Sequence, residues 1–154
     1  MVCFVLADGQ RADRYISEGR MTQRNRPVIL VVDDDVAIRT LIQDILDDVH
    51  YKVILVADGS AALTAMETVV PDLVTLDLDM PGIHGGQVLE FIRQHEHLRD
   101  VKVVIISSAT TIAPRVKKMA QAIFQKPFDI DDLLNVIQRL TPPPKPEHGK
   151  ELNG

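Results

Sequence analysis

Several residue types that mark whole protein classes are scarce in this chain of 154 residues. It has one cysteine, no tryptophan and only 4% aromatic residues. The single cysteine, Cys3, excludes an internal disulfide and a zinc site built from several thiolates. No apolar run reaches the roughly 18 residues that a membrane-spanning helix needs, and the first residues lack the basic region of a signal peptide. We therefore expect a globular protein of the cytoplasm without membrane insertion.

Positive charge is also in short supply. The chain has 17 lysines and arginines against 22 aspartates and glutamates, for a formal net charge of -5. This balance opposes binding to a polyanion, and the basic residues are dispersed apart from short groups such as Lys117 and Lys118. We expect no direct contact with nucleic acid.

Composition divides the chain into three parts. Residues 1–26 lack sustained periodicity and are interpreted as a poorly ordered leader. Residues 141–154 are rich in proline and polar residues, which is typical of a flexible tail. Residues 27–140 are long enough for one domain with a sizeable core. One hypothesis is that translation begins at Met21 rather than Met1, which N-terminal sequencing of the native protein tests.

Apolar runs alternate with helical patterns across the central part. The strand-like runs cover residues 28–32, 52–57, 72–76, 101–107 and 122–125. Between and after them, apolar residues recur at three- and four-residue spacing, as on one face of a helix. Five strands alternating with five helices predict right-handed βαβ units and a doubly wound α/β fold with one parallel sheet.

Polar side chains follow the predicted strands. Three acids, Asp33, Asp34 and Asp35, end the first, Asp77 the third, Ser107 and Ser108 the fourth, and Lys126 and Pro127 the fifth. The carboxyl ends of parallel strands are where such sheets bind ligands. Clustered carboxylates repel one another unless a cation joins them, and hard oxygen ligands favour Mg²⁺ over a transition metal. The sequence predicts a cation site at this edge.

Four motifs in this order resemble the receiver domain of two-component response regulators, over about residues 27 to 140. They are the acid pair Asp33-Asp34, the D-x-x-M-P-G of residues 77–82, Ser108-Ala109, and the K-P-F of residues 126–128. The resemblance implies a flavodoxin-like receiver fold. Because no output-domain pattern follows residue 140, the chain is similar to the stand-alone receivers of chemotaxis and phosphorelays.

The resemblance also implies a chemistry. Asp77 would accept a phosphoryl group from a histidine kinase or a histidine phosphotransfer protein and then signal through contact with a downstream target protein. The implied cofactor is Mg²⁺, with Mn²⁺ as an alternative. Its implied ligands are Asp33 through water, Asp34, Asp77 and the backbone carbonyl of Asp79. Lys126 and Ser108 would contact the phosphoryl oxygens. Such a protein is not a turnover enzyme and catalyses only its own phosphorylation and dephosphorylation.

Three features depart from the family pattern. The segment from Ser108 to Lys126 is shorter than usual, which predicts a shortened, weakly anchored and mobile fourth helix. Ile123 stands where the family has a switch aromatic, and Phe124 is expected to face the other side of the strand. Asp79, two residues after the nucleophile, is placed to hinder or orient a hydrolytic water. The implied switch and partner surface comprises Ala109, Ile123, Phe124, Pro127 and Phe128.

Two alternatives stay open at this point. A haloacid-dehalogenase-like phosphatase also uses a D-x-D nucleophile motif, but after its first core strand, and would turn over small phosphate esters. A pseudo-receiver would only bind partners, against which the complete set of acids and the lysine argue. Arg93, Arg99 and the histidines are interpreted as solvated surface groups.

Overall fold

The computed structural model describes residues 26–145. The predictions for residues 1–25, the start at Met21 and residues 146–154 therefore lie outside the described part. Within it, none of the helices has the length and apolarity required to cross a membrane.

Strands and helices alternate throughout residues 26–145. The strands are β1 (Val28–Val32), β2 (Lys52–Val56), β3 (Leu73–Leu76), β4 (Lys102–Ser107) and β5 (Ala122–Gln125). The helices are α1 (Val36–Asp47), α2 (Gly59–Thr68), α3 (Gly85–Gln94), α4 (Pro114–Met119) and α5 (Ile130–Leu140). The strands agree with the apolar runs of the sequence to within one residue at each end.

All five strands are parallel and follow the order β2-β1-β3-β4-β5. Successive residues of a strand point to opposite faces, so each central strand contributes to two cores. On one face Leu30 and Val32 pack with side chains of α2, α3 and α4. On the other, Ile29 and Val31 pack with side chains of α1 and α5. The predicted doubly wound fold is confirmed.

The prediction of a shortened fourth helix is also confirmed, since α4 has 6 residues whereas the other described helices have 10 to 12. The expectation that it is weakly anchored is wrong. The guanidinium of Arg93, on α3, donates two hydrogen bonds to the carbonyl of Met119 at the end of α4, of 3.0 and 2.8 Å. Near the start of α4, Arg115 forms an ion pair of 2.6 Å with Glu90 of α3. Helix α4 is therefore tied to α3 at both ends.

Arg93 is consequently not the solvated charge that its sequence context suggests. Besides the two bonds to Met119 it donates to the carbonyls of Arg99 and Val101, at 2.8 and 2.7 Å, and to the side chain of Gln121 at 3.1 Å. This one side chain thus holds two segments, residues 99–101 before β4 and residues 119–121 before β5. Sequence periodicity does not show such a role, because the acceptors are backbone carbonyls that only the fold brings together.

Replacing Arg93 should loosen α4. Arg93→Met keeps the aliphatic stem but removes every donor, so we expect a loss of roughly 2 kcal/mol of stability, as for hydrogen bonds from a charged group. Amide exchange should accelerate most in residues 114–121. Denaturant unfolding and hydrogen exchange measure both effects. Arg99→Met, at an exposed side chain nearby, is the matched control, and equal effects of the two variants would contradict the anchoring role.

Candidate functional site

The site lies where β1 and β3, neighbours at the centre of the sheet, end at the same edge. Asp33 and Asp77 directly follow these strands and are only 2% and 3% exposed. The N–H of Asp33 donates to the carbonyl of Val56 at 3.2 Å, and the N–H of Asp77 donates to that of Val32 at 2.9 Å. The sheet hydrogen bonding thus continues into the acidic residues and holds their backbones rigidly.

The third acid of the first group has a structural role. Asp35 is the N-cap of α1, and its carboxylate accepts from the N–H groups of Ala37 and Ile38 at 2.8 and 3.4 Å. Its own N–H donates to Asp33 at 2.9 Å. This capping turns the chain sharply after β1 and leaves Asp34 exposed beside the buried Asp33.

The turn after β3 depends on two glycines. Gly82 has a φ of +82°, in the left-handed region that favours glycine. At Gly85 an added Cβ would lie 2.2 Å from the backbone oxygen of Asp77. Since that atom is backbone, a larger residue would displace the segment that carries the site. Within the turn, the N–H of Asp79 donates to Oδ1 of Asp77 at 3.1 Å.

Lys126 reaches these acids from the end of β5. Its ammonium lies 2.7 Å from Oδ2 of Asp33 and 3.3 Å from Oδ2 of Asp77. Its N–H donates to the carbonyl of Ser107 at 2.9 Å, which fixes the base of the side chain against β4. Burial lowers the pKa of Lys126, but the hydrogen bond and charge of Asp33, then those of Asp77, raise it above its usual value. The ammonium therefore stays charged at neutral pH.

Three carboxylates form a cluster suited to a divalent cation. Asp33, Asp34 and Asp77 each offer an oxygen, and these oxygens lie within 4.8 Å of one another. An all-oxygen set of hard ligands with one exposed member fits a cation such as Mg²⁺ that keeps part of its water shell. The fourth ligand that the sequence analysis named, the carbonyl of Asp79, stays a prediction.

The structure brings Ser107 to this site, whereas the sequence analysis selected Ser108. Ser107 is 1% exposed and its hydroxyl lies 3.4 Å from Oδ2 of Asp79. The hydroxyl oxygen of Ser107 itself accepts from the N–H of Ala109 at 3.1 Å. Ser108 is exposed and follows the last residue of β4. No alternation of apolar and polar residues distinguishes Ser107 in the sequence, because β4 is buried on both faces; its mark is that it is the last residue of the strand.

The implied switch residues are divided between the faces of β5. Ile123 is 38% exposed and borders a cavity of about 290 Å³ that Ser107, Ala109 and Ile112 also line. Phe124 packs into the core between the sheet, α1 and α5, as does Phe128. The expected opposite orientation of the two strand residues is therefore observed. Pro127 is exposed after Lys126.

Comparison with known proteins agrees with this geometry. The family model described as the response regulator receiver domain matches residues 29–138. Sporulation initiation phosphotransferase F of Bacillus subtilis is 30% identical over 115 residues, covering 74% of this chain and 93% of that protein. Sensor histidine kinase GacS of Pseudomonas protegens is 40% identical over 116 residues, covering 75% of this chain but 13% of that protein.

Among solved structures, response regulator TrrA of Thermotoga maritima, in complex with Mg²⁺ and BeF, superposes with a TM-score of 0.68. The two chains are 30% identical, and the match covers 74% of this chain and 98% of the other. The chain spans less than half the length of several curated relatives that it matches.

The fold and the acidic edge thus define a phosphorylation-accepting signalling domain of two-component systems. The chain belongs to the response regulator receiver domain family. The phosphatase alternative requires its nucleophile after the first core strand, whereas Asp77 follows β3.

The electrostatics of Asp77 give a testable pH dependence. Burial raises its pKa from the ordinary 3.8, although the N–H of Asp79 and the charge of Lys126 act in the opposite direction. The folded state therefore binds this proton more tightly than the unfolded state does, and stability falls as pH rises from 3.8 through the folded pKa. Above that window the buried charge is a constant cost.

Asp77→Asn removes this cost. In EDTA, the variant should be more stable than the parent at pH 7, and the difference should shrink as the pH is lowered below the ordinary aspartate range. Urea unfolding at a series of pH values measures it, with exposed Asp47→Asn as the control. A less stable variant at pH 7, or a difference independent of pH, would contradict the origin of the shift.

Proposed function

We propose that the protein is a single-domain response regulator whose Asp77 accepts a phosphoryl group in a Mg²⁺-dependent reaction. The observation that carries this function is the convergence of one ammonium, Lys126, on the buried Asp33 and Asp77 beside the exposed Asp34. A buried carboxylate with a fixed cationic neighbour and an open cation site has the parts that phosphoryl transfer requires.

The cation would be held by Asp33, Asp34 and Asp77, with Mn²⁺ as a substitute for Mg²⁺. When bound, it supplies positive charge that offsets the negative charge of the phosphoryl oxygens. The protein contributes rigidity, because the sheet hydrogen bonds of Asp33 and Asp77 set the ligand positions before binding. The preformed arrangement reduces the cost of bringing like charges together.

A carboxylate oxygen of Asp77 attacks phosphorus, and the bond between phosphorus and the imidazole nitrogen of a phosphohistidine breaks. The histidine nitrogen keeps the electron pair, and an aspartyl phosphate forms. Oδ1 of Asp77 is held by the N–H of Asp79, and Oδ2 faces Lys126. Lys126 then pairs with a phosphoryl oxygen as a compact charge. We propose that the hydroxyl of Ser107 donates to another, since it is the buried serine at this edge.

The partners follow from this chemistry. The phosphodonor is a histidine kinase or a histidine phosphotransfer protein, and the output is a phosphorylation-dependent contact with a target protein. The match over 93% of sporulation initiation phosphotransferase F supports single-domain action. The protein is not a turnover enzyme, because its own carboxylate is the acceptor. We place it in the cytoplasm, in keeping with its single cysteine.

The target surface that we propose comprises the α4–β5 side of the domain. Ile123 is exposed there, and its cavity is continuous with Ser107 and Ala109. Movement of the Ser107 hydroxyl toward a phosphoryl group would therefore change the shape of this surface without rotation of an aromatic side chain. Anchoring of α4 by Arg93 makes the loop before α4, residues 108–113, the part that is free to move.

Acetyl phosphate tests the acceptor directly. In Mg²⁺ the intact mass should rise by one phosphoryl group, and both EDTA and Asp77→Asn should abolish the rise. Asp47→Asn, at an exposed acid distant from the site, is the matched control and should be labelled like the parent. Stoichiometric labelling of Asp77→Asn, or turnover of small phosphate esters by the parent, would overturn the function.

The two serines give a second test. Ser107→Ala should lower the affinity for beryllofluoride, a phosphoryl mimic, by about tenfold, the loss of one hydrogen bond to a charged group. Ser108→Ala should leave it unchanged because Ser108 is exposed. Titration in Mg²⁺ with increasing fluoride, followed by NMR amide shifts, measures both. A loss of beryllofluoride affinity in Ser108→Ala but not in Ser107→Ala would show that Ser108 is the serine that contacts the phosphoryl group.

A further inference from the structure

We propose that Asp79 is a positioning residue that holds the Ser107 hydroxyl in the unphosphorylated protein, so that its carboxylate and an incoming phosphoryl group compete for one donor. This inference rests on the proposed function of Asp77. It goes beyond that function because it assigns to Asp79 a control over the serine that is separate from any effect on hydrolytic water.

The geometry of the turn after β3 places Asp79 for this role. Its N–H is bound to Oδ1 of Asp77 at 3.1 Å, which fixes its backbone beside the nucleophile. Its side chain crosses toward β4, where Oδ2 lies 3.4 Å from the hydroxyl of Ser107. Asp79 is exposed whereas Ser107 and Asp77 are buried, so the carboxylate lies at the mouth of the site, in front of the groups that react.

The hydroxyl of Ser107 can satisfy only one anion at a time. A serine has a single O–H donor, and here its oxygen already accepts from the N–H of Ala109 at 3.1 Å. The hydroxyl therefore donates its hydrogen bond either to Asp79 or to a phosphoryl oxygen. The distance of 3.4 Å to Asp79 is long for a bond between oxygens, so this contact opposes the change of partner without blocking it.

Charge reinforces the competition. Four carboxylates, those of Asp33, Asp34, Asp77 and Asp79, surround the edge, and the ammonium of Lys126 contacts only Asp33 and Asp77. A bound cation joins the first three, which leaves Asp79 as the carboxylate without a cationic neighbour among the described salt bridges. A phosphoryl group would repel it, and Asp79 would release Ser107 as a phosphoryl oxygen becomes the acceptor of the hydroxyl.

This exchange has a mechanical consequence. The hydroxyl oxygen of Ser107 is bound to the N–H of Ala109, the start of the loop that leads to α4. A change of the hydroxyl's acceptor from Asp79 to the phosphoryl group would carry this loop toward Asp77. Asp79 therefore stabilises the position that Ser107 and the loop have before phosphorylation. The phosphoryl group must bind the hydroxyl more strongly than Asp79 does before the loop moves.

A double-mutant cycle isolates the contact from the charge. Beryllofluoride affinity in Mg²⁺ is measured for Asp79→Ala and Asp79→Asn, each with Ser107 present and in the Ser107→Ala background. Asparagine removes the charge but keeps an oxygen acceptor for the hydroxyl, and alanine removes both. With Ser107 present, we expect Asp79→Ala to bind beryllofluoride several-fold more tightly than Asp79→Asn, and Asp79→Asn to bind it more tightly than the parent.

In the Ser107→Ala background the two Asp79 variants should have the same affinity, because no hydroxyl remains to be held. Ser107→Thr, which keeps the hydroxyl, should restore the difference. Equal effects of the Asp79 variants in every background would show that only charge matters and would overturn the proposal, as would weaker binding by Asp79→Ala. Failure of the parent to bind beryllofluoride would instead refute the function of Asp77.

Discussion

The contact of Lys126 with Asp33 and Asp77 is the interaction on which the site depends. Two carboxylates that are nearly fully buried would repel each other and resist ionisation without a nearby cation. The ammonium at 2.7 and 3.3 Å offsets part of this cost and also connects β5 to the two central strands. The ammonium does not offset the whole cost of burying the charge of Asp77, so the pKa of Asp77 stays raised. A second cation at the site would therefore stabilise the ionised carboxylate further.

The order of the strands makes this contact available. Because β1 and β3 are adjacent at the centre of the sheet, their carboxyl ends place Asp33 beside Asp77 without any contribution from a long loop. Strand β5 is two positions from β3, about 10 Å at the usual strand spacing, and the long side chain of Lys126 spans this distance. Ser107 on β4 lies between them, and its carbonyl accepts from the N–H of Lys126. The Asp77 carboxylate, the Lys126 ammonium and the Ser107 backbone are therefore linked through one sheet edge.

The α4–β5 side of the domain, which we propose as the target surface, is built differently from the site. Its helix α4 is short, yet Arg93 and the pair of Arg115 with Glu90 bind it to α3. Helix α4 is thus held in place, whereas the loop before it begins at the Ser107 hydroxyl. We propose that this loop moves while the helix stays fixed. Such a division lets a change of one hydrogen bond alter a surface while the domain stays folded.

The sequence by itself determined the fold, the acid cluster, Asp77 and Lys126, because strand periodicity and the carboxyl ends of parallel strands follow from local pattern. It also located the short α4 from chain length. Only the tertiary structure placed Ser107 rather than Ser108 at the acidic edge, since that depends on where β4 ends. It alone revealed the contacts of Arg93 and Asp79, because their partners, at Met119 and Ser107, are distant in sequence and become neighbours only when the chain is packed.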